Sequence, residues 1–170
     1  MIRRLKLGEA ELYKAIRLTA LKDAPEAFSS TYESALLRSQ ESWAEQADRT
    51  AEGSDRATFL AFHNANPIAM AAFYRCERDS NAGELLQMWV SPESRGGQIG
   101  ANLMDVVFKW ASFNGFTEVR AEVIRTNHRA FRFYEKYGFR SEQKLTNGDI
   151  AMLIKKVEPS GATDLTTFGG

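Results

Sequence analysis

The chain has 170 residues, of which 44% are hydrophobic and 26% charged, and its 22 basic residues balance its 22 acidic ones. This composition is typical of a globular domain, and the zero formal charge argues against broad binding to nucleic acid or membrane surfaces. The single cysteine, Cys76, excludes an intramolecular disulfide, and no apolar run reaches the ~18 residues of a membrane span. We therefore expect a cytoplasmic protein with neither a nucleic-acid nor a membrane partner.

The elements predicted in the first half are a strand over 2–7, helices over 9–21 and 39–47, and strands over 57–63, 67–76 and 84–90. Tyr13, Ile16 and Ala20 recur at helical spacing, which predicts that they are buried. Pro25 ends the first helix, and Ser39 is the expected N-cap of the second. The first two strands of the later group form a hairpin, because a turn signal separates them.

The elements predicted in the second half are a helix over 98–114, a strand over 117–124, a helix over 127–137 and a hairpin of residues 139–145 and 149–157. The predicted buried stripe of the first helix consists of Ile99, Leu103, Val106 and Trp110. Gly138 closes the second helix. Asn147 and Gly148 suit the tight two-residue turn of the hairpin.

This order of elements is a mixed α/β pattern. The strand, helix and strand between residues 85 and 124 imply one parallel pairing, whereas the hairpins imply antiparallel neighbours. We expect a single domain over residues 1–157, followed by a C-terminal tail over 158–170 that is poor in core-forming residues.

The stretch SRGGQIGANLM, residues 94–104, is the strongest local motif, because glycines before a helix suit phosphate binding. A P-loop is excluded, since no lysine is followed by Ser or Thr. A dinucleotide fingerprint lacks its first glycine, because Arg95 occupies that place, and the loop begins beyond Pro92 instead of directly after the strand. Two interpretations of the loop stay open at this point. One is an arch of backbone N–H groups around a pyrophosphate, and the other is an ordinary glycine-rich turn before a helix.

A second motif lies in NHRAFRFYEKYGF, residues 127–139. Asn127, Ala130 and Tyr134 fall on one helix face, and a polar group, a small residue and a phenol make a poor core face. This face suits a cofactor lying along it. The alternative is an amphipathic helix whose aromatic residues are half-buried packing residues.

Taken together, VSPESRGGQIG (90–100) and N127-x-x-A130-x-x-x-Y134-x-x-x-G138-F139 resemble the motifs of the GNAT superfamily of N-acetyltransferases, which use acetyl-coenzyme A. The resemblance covers about residues 1–157. It implies a GNAT-like mixed, mostly antiparallel sheet of about seven strands with about four helices, splayed between the fourth and fifth strands. Gln98 departs from the pattern, since the family normally has glycine there.

The resemblance implies acetyl-CoA as co-substrate, and we expect no metal, because no His, Asp and Glu cluster has zinc spacing. The backbone of the strand before the loop would hold the thioester carbonyl, the loop the pyrophosphate, and Asn127 the pantetheine arm. The implied cofactor-binding residues are Met88, Trp89, Val90, Arg95, Gly96, Gly97, Gln98, Ile99, Gly100, Ala101, Asn127, Ala130 and Tyr134.

For catalysis, the resemblance implies that Tyr134 protonates the departing thiolate. An alkyl ammonium has a pKa of ~10.4, so its deprotonation near neutral pH needs a base. Glu84 and Glu122 match the places where different branches of the family carry a glutamate base. Glu122 is preferred because it lies beside the second motif, and water-mediated proton removal is the alternative.

The expected function is acetyl transfer to a primary amine of a small molecule or of a peptide or protein N-terminus, by direct attack in a ternary complex. Phe28, Tyr32 and Glu33 are the candidate acceptor contacts, although Phe28 also suits a core position between helices. A homodimer is a further expectation, since members of the superfamily often dimerise. The alternative is a non-catalytic acyl-CoA-binding sensor module with the same fold, which Gln98 alone supports.

Overall fold

The computed structural model describes residues 1–143 and 147–160. Within these ranges it contains seven strands, which are β1 (Ile2–Arg4), β2 (Arg56–His63), β3 (Asn66–Arg75), β4 (Ala82–Val90), β5 (Glu118–Ile124), β6 (Arg140–Ser141) and β7 (Ile150–Lys156). The same ranges contain five α-helices, which are α1 (Ala10–Asp23), α2 (Tyr32–Leu36), α3 (Gln40–Ala51), α4 (Ile99–Phe113) and α5 (His128–Tyr137).

The strands form one sheet in the order β1-β2-β3-β4-β5-β7-β6. The pairs β1–β2, β2–β3, β5–β7 and β6–β7 are antiparallel. The pair β4–β5 is parallel, with Ala82 to Leu85 opposite Glu118 to Ala121. The predicted mixed, mostly antiparallel sheet is thereby confirmed, whereas the splay between its fourth and fifth strands stays a prediction.

The chain divides into two compact units. The first unit comprises Met1–Tyr74 and Leu86–Met104, and the second comprises Arg75–Leu85 and the described residues from Asp105 onward. The boundaries therefore fall inside β4 and inside α4. The prediction of a single domain over 1–157 stays a prediction, and residues 161–170 of the predicted tail lie outside the described residues.

In the first unit, α1 and α3 cover a core that also includes residues of β2 and β3. Tyr13, Ile16 and Ala20 are buried as predicted, and the Tyr13 ring meets the Trp43 ring edge-on at 5.7 Å between centroids. The predicted N-cap is confirmed, because the Ser39 hydroxyl accepts a hydrogen bond from the Ser42 backbone N–H at 3.1 Å.

The short helix α2 was not predicted. Its N-cap is Thr31, whose side chain accepts from the Ser34 N–H, while the Ser34 hydroxyl accepts from the Thr31 N–H. This reciprocal arrangement satisfies two backbone donors, which stabilises a helix that is too short to form on propensity alone.

The predicted buried stripe of α4 was partly wrong. Leu103 is buried as predicted, but Ile99, Val106 and Trp110 are only half-buried. The other buried residues of the helix are Met104, Val107 and Ala111. The buried face is therefore centred on Leu103, Met104, Val107 and Ala111, while the Trp110 ring stacks on Phe116 at 5.9 Å between centroids.

The closing turn also lies one residue later than predicted. Asn147 and Ile150 exchange two backbone hydrogen bonds, of 3.1 and 3.0 Å, so the turn consists of Gly148 and Asp149. Gly148 has a φ of +56°, and glycine adopts this conformation without steric cost. Residues 144–146 of the predicted hairpin lie outside the described residues.

Candidate active site

In the first unit, β4 carries an irregular backbone just before its end. Gln87 has a φ of +55°, a conformation that costs a non-glycine residue about 1 kcal/mol or more. Its side-chain oxygen accepts a hydrogen bond of 2.9 Å from the Tyr13 hydroxyl. Burial raises the pKa of Tyr13 to about 12, so this hydroxyl stays a donor at neutral pH. This hydrogen bond fixes the side chain of Gln87, the strained residue that directly precedes Met88.

The end of β4 is tied to the C-terminal end of α1 through Asp23. The Trp89 indole donates to the Asp23 carboxylate at 2.9 Å, and the Arg95 guanidinium forms an ion pair with the same oxygen. Arg95 Nε also donates to the Val90 carbonyl at 2.8 Å. The Arg95 side chain therefore holds the loop against the end of the strand, and its predicted cofactor contact stays a prediction.

The glycine loop presents a row of backbone donors. The N–H groups of residues 96–101 donate to no backbone carbonyl of the described ranges, and the first bond of α4 runs from Asn102 N–H to the Gln98 carbonyl at 2.8 Å. Gly96 has a φ of +83°, and a Cβ placed on it would meet no atom within 4 Å. Unpaired donors at a helix N-terminus, with the positive end of the helix dipole, form an anion site.

Gln98 fits this loop without strain. It is exposed, its φ is not positive, and its carbonyl begins the helical hydrogen bonding. The loop residue that needs glycine for its backbone angle is Gly96. Replacement of the family's glycine by Gln98 therefore leaves the row of donors intact.

In the second unit, β4 and β5 place charged residues side by side. Glu84 lies opposite Arg120 in the parallel register, and Glu122 is two residues further along β5 on the same face. Arg120 is already engaged, since it donates to Glu118 at 2.6 Å and to Asp79 at 2.9 Å. The Glu84 and Glu122 carboxylates are therefore incompletely neutralised.

The two predicted bases differ in their surroundings. Burial raises the pKa of Glu84, and the like charge of Glu122 raises it further, while Arg120 opposes both effects. Glu84 is half-buried, whereas Glu122 is exposed. Desolvation is what brings a carboxylate pKa towards the working pH of a base, and of the two glutamates only Glu84 is half-buried. The sequence-based preference for Glu122 stays a prediction.

Helix α5 holds the predicted second motif. The Asn127 side chain accepts a hydrogen bond from the Ala130 N–H at 3.2 Å and so caps the helix, a role that was not predicted. Gly138 ends the helix with a φ of +112°, as predicted. Tyr134 is buried, with its ring edge-on to Phe139 at 5.2 Å between centroids, and burial raises its pKa.

Comparison with known protein families identifies the family of this chain. The sequence model of the acetyltransferase (GNAT) family matches residues 18–139. The chain belongs to the GNAT acetyltransferase family. The predicted membership of the GNAT family is thus confirmed.

Two GNAT relatives are named acetyltransferases. Mycothiol acetyltransferase of Thermobispora bispora is 31% identical over 132 residues, which is 77% of this chain and 43% of that protein. Spermidine N(1)-acetyltransferase of Thermoplasma acidophilum is 35% identical over 79 residues, 46% of this chain and 48% of that protein. These matches span about half the length of either relative.

Among solved GNAT structures, the paia N-acetyltransferase of Thermoplasma acidophilum, in complex with coenzyme A, has a TM-score of 0.76 and 26% identity to this chain. The match covers 92% of this chain and 98% of that one. A GNAT fold in this chain is therefore shown by sequence and by structure.

The predicted acceptor contacts lie in the first unit of the GNAT domain. The Arg17 guanidinium carbon lies 4.5 Å from the centroid of the half-buried Phe28 ring. Tyr32 is also half-buried, and the Lys22 ammonium lies 5.8 Å from its ring centroid. Both aromatic residues pack against the core, whereas Glu33 is exposed.

Sequence reasoning missed the contacts of Tyr13, Asp23 and Gln87 near the end of β4 and the burial of Arg17. The available signal was the spacing of Tyr13 and Arg17, which places a phenol and a guanidinium on the apolar face of α1. Gln87 gave no signal, because nothing in a strand-like run marks a positive φ. Within the described ranges, no group of His, Cys, Asp and Glu residues could hold a metal ion. No helix there is long and apolar enough to cross a bilayer.

Proposed function

We propose that this GNAT protein transfers the acetyl group of acetyl-CoA to a primary amine of a small molecule or of a peptide or protein N-terminus, by direct attack in a ternary complex. The observation that carries the proposal is the row of unpaired N–H groups over residues 96–101 at the start of α4. Family membership and the coenzyme A complex of a structural relative support the same ligand.

The loop chemistry fits a pyrophosphate. Consecutive backbone N–H donors bind phosphoryl oxygens without requiring a side chain, and Gly96 supplies the positive φ that turns the loop. The ion pair of Arg95 with Asp23 keeps this loop at the end of β4. We assign pyrophosphate binding to the loop backbone and a positioning role to the Arg95 side chain.

Acetyl-CoA supplies a thioester, whose carbonyl gains negative charge when an amine attacks it. We assign the stabilisation of that charge to backbone N–H groups of Met88, Trp89 and Val90, which follow the irregular residue Gln87. Preorganised donors of this kind are often the largest electrostatic contribution to catalysis. The hydrogen bond from Tyr13 to the Gln87 side chain contributes to holding this segment of backbone.

Glu84 is the proposed base, because its raised pKa and partial burial suit proton removal from an ammonium. Tyr134 is the proposed acid. Burial raises the pKa of Tyr134, which keeps it protonated, and desolvation would raise the pKa of a leaving thiol in the same direction. The phenol and the thiolate therefore stay closer in proton affinity than the phenol shift alone suggests.

Asn127 and Ala130 are proposed to bind the pantetheine arm, as in the family motif. The Asn127 side-chain oxygen already caps α5, which orients the amide group. A non-catalytic acyl-CoA-binding sensor is the alternative. Gln98 is the only residue in its favour, and its φ is not positive.

Ligand binding and turnover test the proposal separately. Acetyl-CoA at about 100 times its Kd stabilises a native protein by ~2.7 kcal/mol, which raises Tm by roughly 5–10 °C for a chain of this size. Tyr134→Phe is expected to keep that shift and to lower kcat by about 100-fold or more. Tyr137→Phe is the matched control, because this neighbouring phenol donates to Asp105 at 2.5 Å and has no assigned role.

An unchanged Tm with acetyl-CoA would overturn the proposed cofactor. Equal kcat for the wild type and Tyr134→Phe would remove the acid role of that tyrosine. A comparable loss in Tyr137→Phe would instead indicate damage to the α5 region.

A further inference from the structure

Arg17 is the one arginine of the described ranges whose side chain and backbone are almost fully buried, with 7% of the residue exposed. Its Nη1 has no hydrogen-bond partner there. An unpaired buried cation is costly, because it loses hydration without gaining an opposite charge. The native fold therefore keeps one nitrogen of the Arg17 guanidinium buried without a hydrogen-bond partner.

Three other partly buried arginines of the described ranges have a carboxylate partner that Arg17 lacks. The side chains of Arg3, Arg95 and Arg120 are 20–27% exposed, and each is paired with a carboxylate. Arg3 is the closest counterpart, because its guanidinium also lies over a phenylalanine ring, at 4.9 Å from the Phe62 centroid, while Glu9 binds it through two hydrogen bonds. Arg17 has the ring without the carboxylate.

The surroundings of Arg17 favour an anion further. The described groups whose charges act on it are Tyr13, Tyr74 and a second cation, Arg38. None of these is a carboxylate. Phe28 covers one face of the guanidinium, which leaves the N–H groups in the plane of the fork as the donors for a ligand.

Arg17 also lies near the proposed reaction. It follows Tyr13 by four residues, so the two side chains are neighbours on one face of α1, and Tyr13 donates to Gln87 directly before Met88. Asp23, which holds the pyrophosphate loop through Arg95, is six residues further along α1, or about 9 Å. Along α1, Arg17 is therefore nearer to Tyr13, four residues away, than to Asp23, six residues away.

We infer that Arg17 binds a carboxylate of the acceptor, so that this protein acetylates amines that also carry a carboxylate, such as amino acids or peptides. The inference rests on the proposed acetyl transfer. Guanidinium and carboxylate form two parallel hydrogen bonds, which fixes the acceptor in one orientation. A polyamine, which has only cationic groups, would be repelled by the same guanidinium.

A panel of matched acceptors tests this selectivity. Each set contains an amino acid, its amide and its decarboxylated amine, and the panel includes short peptides with free or amidated C-termini and spermidine. Free-thiol release from acetyl-CoA is expected to have a kcat/KM that is roughly tenfold to a hundredfold higher for the carboxylate-bearing members. Arg17→Gln is expected to remove this preference while leaving KM for acetyl-CoA unchanged.

Arg3→Gln is the matched control, because it removes a ring-stacked guanidinium of the same unit that already has a carboxylate partner. It is expected to lower stability and to keep the acceptor preference. A purely structural role for Arg17 would lower the rates of carboxylate-bearing and matched neutral acceptors alike, which would overturn the inference. A rise in KM for acetyl-CoA alone would do the same, since it would assign Arg17 to a phosphate.

Binding of the product provides a measurement that does not depend on turnover. In calorimetry with coenzyme A present, N-acetylated amino acids are expected to bind the wild type at least tenfold more tightly than their amides, with no such difference in Arg17→Gln. Equal binding of acids and amides would overturn the inference even where acetyl transfer occurs. If spermidine is the only acceptor that supports thiol release, the proposed acetyl transfer would stand and the proposed carboxylate-bearing acceptor would be wrong.

Discussion

Replacing Glu84 by glutamine tests the proposed base with little change in shape. The charge that is removed is one that the fold disfavours, because burial and the nearby Glu122 carboxylate both raise the pKa of Glu84. We therefore expect Glu84→Gln to fold with unchanged or higher stability at neutral pH. Loss of activity would then reflect chemistry and not unfolding.

The expected loss of rate is large. A positioned general base contributes about 10²- to 10⁴-fold, which is ~3–5.5 kcal/mol of barrier. The wild-type kcat/KM is expected to fall as the pH drops through the raised pKa of Glu84, above the ~4.3 of an ordinary glutamate, because protonation removes the base. Glu84→Gln is expected to lack this limb of the profile.

Glu122→Gln is the matched control. Its carboxylate is exposed, and its like charge contributes to the raised pKa of Glu84. Its removal is expected to leave the rate at neutral pH nearly intact and to move the acid limb to lower pH. The assignment fails if Glu84→Gln keeps its rate, or if Glu122→Gln causes the hundredfold loss instead.

Three further variants test the framework of the site by denaturant unfolding. Gly96→Ala is expected to lower the free energy of unfolding by about 1 kcal/mol, because its φ is +83°, whereas Gly97→Ala, which has ordinary space and backbone, is expected to change it by less than ~0.5 kcal/mol. Equal losses would show that backbone angle does not matter in the loop. Asp23→Asn is expected to lower the free energy of unfolding by about 1 kcal/mol at low salt and by less at 1 M salt, because the ion pair with Arg95 is partly exposed. A loss of stability that does not depend on salt would contradict this expectation. Glu118→Gln is expected to cost ~1–3 kcal/mol at neutral pH. Burial raises the pKa of Glu118, but its two cationic partners, Lys156 and Arg120, lower the pKa below the usual value overall. The stability that the Glu118 carboxylate contributes is therefore present above about pH 4.3 and lost as the pH falls through the lowered pKa. A stability difference between wild type and Glu118→Gln that persists in acid would refute this prediction.

Elements with strong local chemistry were predictable from the sequence. The side chain of Ser39 and the conformational freedom of Gly138 mark helix ends, and both have the predicted roles. The spacing of Tyr13, Ile16 and Ala20 predicted the buried face of α1. Local periodicity and capping are properties of neighbouring residues, so the sequence contains them directly.

Elements with weak local signals were missed or displaced. Helix α2 has only five residues, and its reciprocal cap uses Ser34 where the usual signature has a glutamate or glutamine. The buried face of α4 includes Ala111, whose burial depends on the packing partner and not on hydrophobicity alone. The final turn shifted by one residue because Gly148 is compatible with either turn position.

In the site, the backbone donors of the loop were predictable because glycines before an apolar helix are a local pattern. The contacts that hold them were not. Asp23 and Arg95 are 72 residues apart, and the Tyr13 bond to Gln87 joins two elements that no sequence pattern relates. The distinction between Glu84 and Glu122 depends on burial, which follows only from the folded sheet.

Transfer of a labelled acetyl group tests the central proposal most directly. The protein is incubated with acetyl-CoA that carries an isotopic label in the acetyl group, together with a panel of amines, and the products are analysed by mass spectrometry. We expect the label in an amide bond of an amine acceptor, with an equal amount of free coenzyme A. Hydrolysis to labelled acetate alone, or no loss of label from acetyl-CoA with any amine, would contradict the proposed acetyltransferase.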